Sequence, residues 1–223
     1  NVNDEAGNAA TADTGDTFIY DNVDPTIGIT TVASDAYVNE DEEDSFTITG
    51  TSVGAVGQNV VVTYGGVTDS DTVTVDANGD WTVTFCDDED CSSISDGLIA
   101  VTANVDDVAG NSATQGSTNA IQDTADPTTT VTINTFSADT GSSSTDWITK
   151  TAAGNVDADL SAALASATST TTVETLEVSV DAGSSWATVD GGDISGTDVT
   201  EGVTLGAGTS SVKFRVTDAA GNT

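Results

Sequence analysis

One short segment occurs three times along this chain and sets its architecture. Asn1-Val2-Asn3-Asp4-Glu5-Ala6-Gly7-Asn8-Ala9-Ala10 reappears as Asn104-Val105-Asp106-Asp107-Val108-Ala109-Gly110-Asn111-Ser112-Ala113, and its core closes the chain as Val216-Thr217-Asp218-Ala219-Ala220-Gly221-Asn222. The spacing is 103 residues from Asn8 to Asn111 and 111 from Asn111 to Asn222, while Asp24-Pro25-Thr26 recurs 102 residues later as Asp126-Pro127-Thr128. A period of about a hundred residues is the size of a small domain, so the 223 residues hold two units. Within Asp-x-Ala-Gly-Asn, glycine supplies a positive φ and Asp and Asn bond the turn backbone, so the segment reads as the hairpin into each unit's last strand. On that reading the chain is out of phase with its units. Residues 1–21 are the final hairpin and strand of a preceding repeat, 22–124 form one domain, and 125–223 form a second that lacks its last strand.

Between these landmarks the pattern is that of short strands. Thr72-Val73-Thr74-Val75 and Trp81-Thr82-Val83-Thr84-Phe85 place every second apolar side chain on one face. In the first unit strands are expected near 27–32, 45–50, 59–64, 71–76, 80–85, 98–106 and 112–120. In the second they are expected near 129–136, 147–151, 173–181, 185–190 and 211–218, with 152–169 undefined and a trace of helical period over 156–167. Seven strands punctuated by Gly, Asp and Asn turns suit an immunoglobulin-like sandwich. The predicted fold class is all-β, with tandem immunoglobulin-like β-sandwiches joined by short linkers.

Charge narrows the function. Thirty-seven Asp and Glu against three basic residues, Lys150, Lys213 and Arg215, leave a net charge of −34. Nucleic acid and anionic membrane surfaces repel such a chain. With no His and no Met, and two Cys, the usual general bases and mixed metal sites cannot be assembled. Paired carboxylates alone can hydrolyse glycosides, but nothing singles out two of these acids as partners, so an enzyme is not expected. No apolar run approaches the ~20 residues of a membrane span.

The segments 76–83 (Asp-Ala-Asn-Gly-Asp-Trp-Thr-Val), 99–111 (ending Asp107-Val108-Ala109-Gly110-Asn111) and 181–186 (Asp-Ala-Gly-Ser-Ser-Trp) resemble the bacterial immunoglobulin-like repeats of giant type I-secreted, RTX-type surface adhesins. The resemblance covers nearly the whole chain. It implies an extracellular location on a bacterial cell surface, neighbouring repeats in the same long chain as partners, and calcium in and between domains stiffening a rod that serves adhesion and biofilm. A Ser, Thr and Ala-rich insertion in the second unit and the Cys pair depart from the family.

Calcium takes six to eight oxygens, which carboxylates, Asn amides and turn carbonyls supply. The candidate ligands are Asp4 and Asp24 at one pole of the first unit, Asp106, Asp107, Asp123 and Asp126 at the junction between units, and Asp218 at the far end. Against each stands the plainer reading of a turn aspartate. The acidic run Asn39-Glu40-Asp41-Glu42-Glu43-Asp44 is expected to be a solvated loop. Cys86 and Cys91 flank Asp87-Asp88-Glu89-Asp90 and read as a local disulfide, with a metal or redox pair as the rival. Trp81 and Trp186 are both expected in cores rather than on a sugar-binding surface.

Three functions follow. The first is a structural extender stiffened by calcium. The second is a module binding a glycan or protein through its loops, with 137–146 as the candidate surface. The third is a filament subunit in which residues 9–20 complete the open sandwich of another copy by β-strand addition.

Overall fold

The computed structural model describes residues 5–8, 15–69, 71–87, 91–166 and 173–223. Two sandwiches follow one another, each with its own core.

The first contains β1 (Thr26–Val32), β2 (Tyr37–Val38), β3 (Phe46–Val53), β4 (Asn59–Tyr64), β5 (Val67–Thr68), β6 (Val73–Thr74), β7 (Asp80–Phe85), β8 (Gly97–Val105) and β9 (Gly116–Gln122). One sheet has the order β1-β3-β7 and the other β2-β9-β8-β4-β5, with β6 also on β4. All pairs are antiparallel except β2 with β9. Alternation does the sorting. In β7, Trp81, Val83 and Phe85 are buried while Asp80 and Thr82 face water, and in β8 the buried set is Ile99, Val101, Ala103 and Val105. Phe46, Tyr64 and Phe85 meet at ring-centroid distances of 5.0 to 5.9 Å, and the Tyr64 hydroxyl donates to Gln122 Oε1. Trp81 lies across Gly50, where a Cβ would come within 2.2 Å of the indole and 2.1 Å of the Gly28 carbonyl.

The second sandwich contains β10 (Val131–Phe136), β11 (Ala153–Leu160), β12 (Thr175–Ser179), β13 (Ala187–Thr188), β14 (Ile194–Ser195), β15 (Asp198–Thr204) and β16 (Lys213–Thr217). Its sheets have the orders β10-β11-β15-β14 and β13-β12-β16. The register of β10 on β11 slips between Ile133 and Thr135, as that of β1 on β3 slips between Ile29 and Thr31. The shared bulge marks the two sandwiches as the same structure.

Several expectations change. The stretch from Val156, read as weakly helical, is β11 as far as Leu160: Val156, Ala158 and Leu160 point inward between outward acids. Residues 147–151 form no strand. Trp81 is a core residue, but Trp186 is not. It is half-buried on the outside of its sheet, with the Arg215 guanidinium 4.4 Å from its ring centroid and Arg215 Nε donating to Glu177 at 2.7 Å. Cys86 and Cys91 form the expected disulfide, with Cα atoms 5.6 Å apart.

Candidate functional site at the joint between the sandwiches

The repeated Asp-x-Ala-Gly-Asn segment builds the same turn in both sandwiches. Asp107 N donates to Asn111 O, and Asp107 Oδ1 and Oδ2 accept from Asn111 N and Nδ2, each at 2.8 Å. Asp218 repeats this with Asn222: Oδ1 accepts from Gly221 N and Asn222 N, and Oδ2 from Asn222 Nδ2 at 2.9 Å. Gly7, Gly110 and Gly221 all hold positive φ, at 84°, 90° and 101°. The Asn111 side-chain amide is the main cause holding the Asp107 carboxyl below its ordinary range.

Each turn also reaches outward to the segment leading into its own sandwich. Asn111 Nδ2 donates to Asp21 O at 3.4 Å, and Asn222 Nδ2 donates to Asp123 O at 2.7 Å. The turns therefore sit at the pole where each sandwich begins. For the second sandwich that pole is the joint, and the first sandwich meets it with the loop after β2. Asn39 Nδ2 donates to Ala220 O at 2.7 Å, and Glu40 N donates to Asn222 Oδ1 at 3.2 Å. Ala220 and Asn222 are buried there, exposed by only 4% and 6%. A Cβ on Gly221 would come within 3.2 Å of Asn39 Nδ2, so the close approach as well as the φ calls for glycine.

The acidic loop is thus not simply solvated. Asn39 organises it as a turn: its carbonyl accepts from Glu42 N and Glu43 N, and its side-chain oxygen accepts from Glu42 N at 3.1 Å. Burial, reinforced by Asp35 and Asp41, raises the Glu42 pKa against a lowering bond from Asn39. Glu40, Asp41 and Asp44 remain exposed.

The expected ligands distribute as follows. Asp4 lies outside the described residues. Asp24 is exposed just before β1, and Asp106 and Asp107 lie at that same pole rather than between the sandwiches. Asp123, Asp126 and Asp218 are the three at or beside the joint, with Asp218 there instead of at the far end. Asp123 donates its N–H to Val38 O and accepts at Oδ1 from Ala125 N. Among the described residues no three Asp, Glu, His or Cys side chains converge closely enough to hold one ion. Asp107 and Asp218 commit both carboxylate oxygens to their turns. Asn39, Glu40 and Asn222, which join the sandwiches directly, carried no ligand expectation; the recurrence of Asn at 8, 111 and 222 was the signal for one of them.

The loop offered as a glycan-binding surface is internally tied. Asp139 is buried and its Oδ2 accepts from Trp147 N at 3.0 Å, while Thr149 Oγ1 donates to Ala138 O. Among the described residues no helix is long and apolar enough to cross a membrane.

No protein-family model matches this chain, and no curated protein matches it. Among solved structures it is similar to a 1.5-MDa bacterial ice-binding adhesin studied for host cell surface retention. That likeness has 24% identity and a TM-score of 0.47 over 99% of this chain and 68% of the other. It is also similar to a protein of Corynebacterium diphtheriae described as membrane anchored, at 15% identity and TM-score 0.34, covering 87% of this chain and 49% of that one. A run of titin domains matches at 14% identity and TM-score 0.40, covering 89% of this chain and 62% of that one.

Proposed function

We propose that this chain is a spacer segment of a bacterial cell-surface adhesin, a mechanical part that holds sandwiches in a fixed succession. The observation that carries the reading is the joint: Asn39 Nδ2 to Ala220 O, Glu40 N to Asn222 Oδ1, and Asn222 Nδ2 to Asp123 O. The last of these bonds recurs one repeat earlier, where Asn111 meets Asp21. A device reproduced at successive poles suits a rod assembled from repeats. The high negative charge suits it too, because like charges on neighbouring segments resist collapse of the rod. Calcium enters this reading as a counter-ion drawn to the acids around the joint, Glu40, Asp41, Asp44 and Asp126 among them, and the fixed angle does not depend on it.

Small-angle scattering tests the proposal. An extended particle fitted by one arrangement of the two sandwiches, with the same maximum dimension in calcium and in chelator, is expected. A broad ensemble of angles in both conditions would exclude a spacer role.

A further inference from the structure

Charge is spread unevenly over the strands of the two sandwiches. The larger sheet of the first, β2-β9-β8-β4-β5 with β6, contains no Asp, Glu, Lys or Arg in any of its strands. In the smaller sheet Asp80 is the single charged strand residue, so the acids of that sandwich stand almost entirely in its loops. The strands of the second sandwich differ. They carry Asp157, Asp159, Asp198 and Glu201 on one sheet and Glu177, Lys213 and Arg215 on the other.

The repeated turns set the two sheets in register. Asp107 and Asp218 make the same bonds just after β8 and β16, so Asn104 corresponds to Arg215 and Thr102 to Lys213. Across the ladder Val61 faces Asn104 as Glu177 faces Arg215. The second sandwich closes this spot with its own side chains, because Arg215 bonds Glu177 at 2.7 Å and lies over Trp186. The first leaves it open. A hollow of about 380 Å³ lies beside Val61 and Asn104. Val61 is 48% exposed, and Leu98, farther along the same face, is 62% exposed. Between them the outward residues are short and neutral, Ala100 and Thr102 on β8 with Asn119 and Ser117 opposite them on β9.

Depletion of charge is the compositional mark of an interface core, more than bulk hydrophobicity is. The face is also large enough to serve. Four strands, β9, β8, β4 and β5, span about 19 Å, and their shared length is about 24 Å, so two such faces together bury roughly 900 Å², the size of a weak and reversible contact. The partner these features fit is a second copy of the chain. Two molecules of net charge −34 repel wherever acids are brought together, and a carboxylate buried without a partner is costly. Setting this face against itself brings no acid of the sheet into contact.

We propose that the outer face of β9-β8-β4-β5 is a self-association surface, on which the same face of a second copy packs across a two-fold axis. The contact removes Val61 and Leu98 of both copies from water, and it sets the copies side by side rather than end to end. It uses none of Asn39, Glu40 and Asn222, so it can fail while the joint stands, and the joint can fail without it.

The test is sedimentation velocity on the 223-residue chain in chelator, over about 1 to 300 µM protein. Between about 10 mM and about 1 M salt the screening length falls from about 30 Å to about 3 Å. A monomer–dimer equilibrium that tightens with salt is therefore expected, whereas one held by ion pairs would loosen. Ala100→Glu sets a carboxylate in the middle of each face and should weaken the dimer by about tenfold or more. Asn119→Glu, at the exposed position opposite Ala100, should do the same. Thr82→Glu adds the same charge at an exposed position of the other sheet and should leave association unchanged. In NMR spectra the amide signals that move with concentration should be those of β4, β8 and β9. A parent chain monomeric throughout that range in both salts, a dimer that loosens with salt, undiminished association of Ala100→Glu and Asn119→Glu, equal weakening by Thr82→Glu, or signals that move only on other surfaces would each overturn the proposal.

Discussion

Replacing Asn222 by alanine separates the joint from the turn that carries it. The side chain makes three bonds: Oδ1 accepts from Glu40 N at 3.2 Å, and Nδ2 donates to Asp123 O at 2.7 Å and to Asp218 Oδ2 at 2.9 Å. The first two fasten the first sandwich and the linker to the second. At about 1 kcal/mol net for each neutral bond, losing both weakens the joint by about 2 kcal/mol. That lowers the ratio of closed to open arrangements by about thirtyfold. The third bond belongs to the turn, and being charge-assisted it stabilises the second sandwich by about 1.5 to 3 kcal/mol. Asn111→Ala is the internal control. It removes the same turn bond, to Asp107 at 2.8 Å, but its outward contact is the longer one to Asp21 and no second sandwich is involved. Single-molecule energy transfer between dyes at Thr82 and Thr188, both exposed, reads the joint directly. A narrow distribution in the parent and in Asn111→Ala, broad in Asn222→Ala, is expected. Equal broadening by both variants, or by neither, would refute the assignment of the joint to Asn222.

Opening the Cys86–Cys91 bridge by a double serine substitution should cost the first sandwich about 2 kcal/mol in a urea titration, the loop entropy of so short a ring. Gly50→Ala should destabilise the same sandwich by about 1 to 3 kcal/mol or more, read as a lowered thermal midpoint, because the backbone carbonyl of Gly28 and the Trp81 ring leave no room for a methyl. Stability should pass through a maximum in mild acid. Burial first, then neighbouring acids, raises the folded pKa of Glu42 and Glu201 above the ordinary 4.5, so the fold takes up protons more readily and gains as pH falls toward that value. Below about 3.8 the sign reverses. Asp76, Asp107 and Asp181 are held low by their turn bonds, Asp181 down to about 2, and their contribution is lost as pH falls through that range. Thermal midpoints from pH 7 to 2 check this, and a steady decline from pH 7 would contradict it.

The strands legible in the sequence are those whose alternation is pure. β4 and β7 fall where Asn59 to Tyr64 and Asp80 to Phe85 place them, because Val, Thr and aromatic side chains fill both faces without ambiguity. β11 was obscured because its inward residues include Ala158 and its outward ones Asn155, Asp157 and Asp159, residue types that favour turns or helices when taken one by one. Tertiary pairing with β10 and β15 overrides them. Trp186 was misplaced because parity was carried past the turn from Asp181 to Ser185. Asp181 bonds both Ser185 N and Ser185 Oγ there, and the turn resets which face comes next.

The candidate site was half legible. The repeated turn and its glycine were readable from spacing. Which pole it occupies was not, because pole assignment needs strand direction. β8 runs back toward the pole where β1 enters, so the turn after it meets the preceding segment, as the bond from Asn111 to Asp21 records. Assigning that direction correctly moves Asp218 to the joint and Asp107 away from it. No sequence pattern announced that Asn39 and Glu40 would reach across, since their partners lie 181 and 182 residues distant.

Residual dipolar couplings for the two sandwiches of the intact chain, recorded in chelator, probe the fixed joint most directly. One common alignment tensor, unchanged when millimolar calcium is restored, is the predicted result. Two tensors of different magnitude in chelator would contradict it, because the sandwiches would then be reorienting about a joint that its hydrogen bonds do not hold.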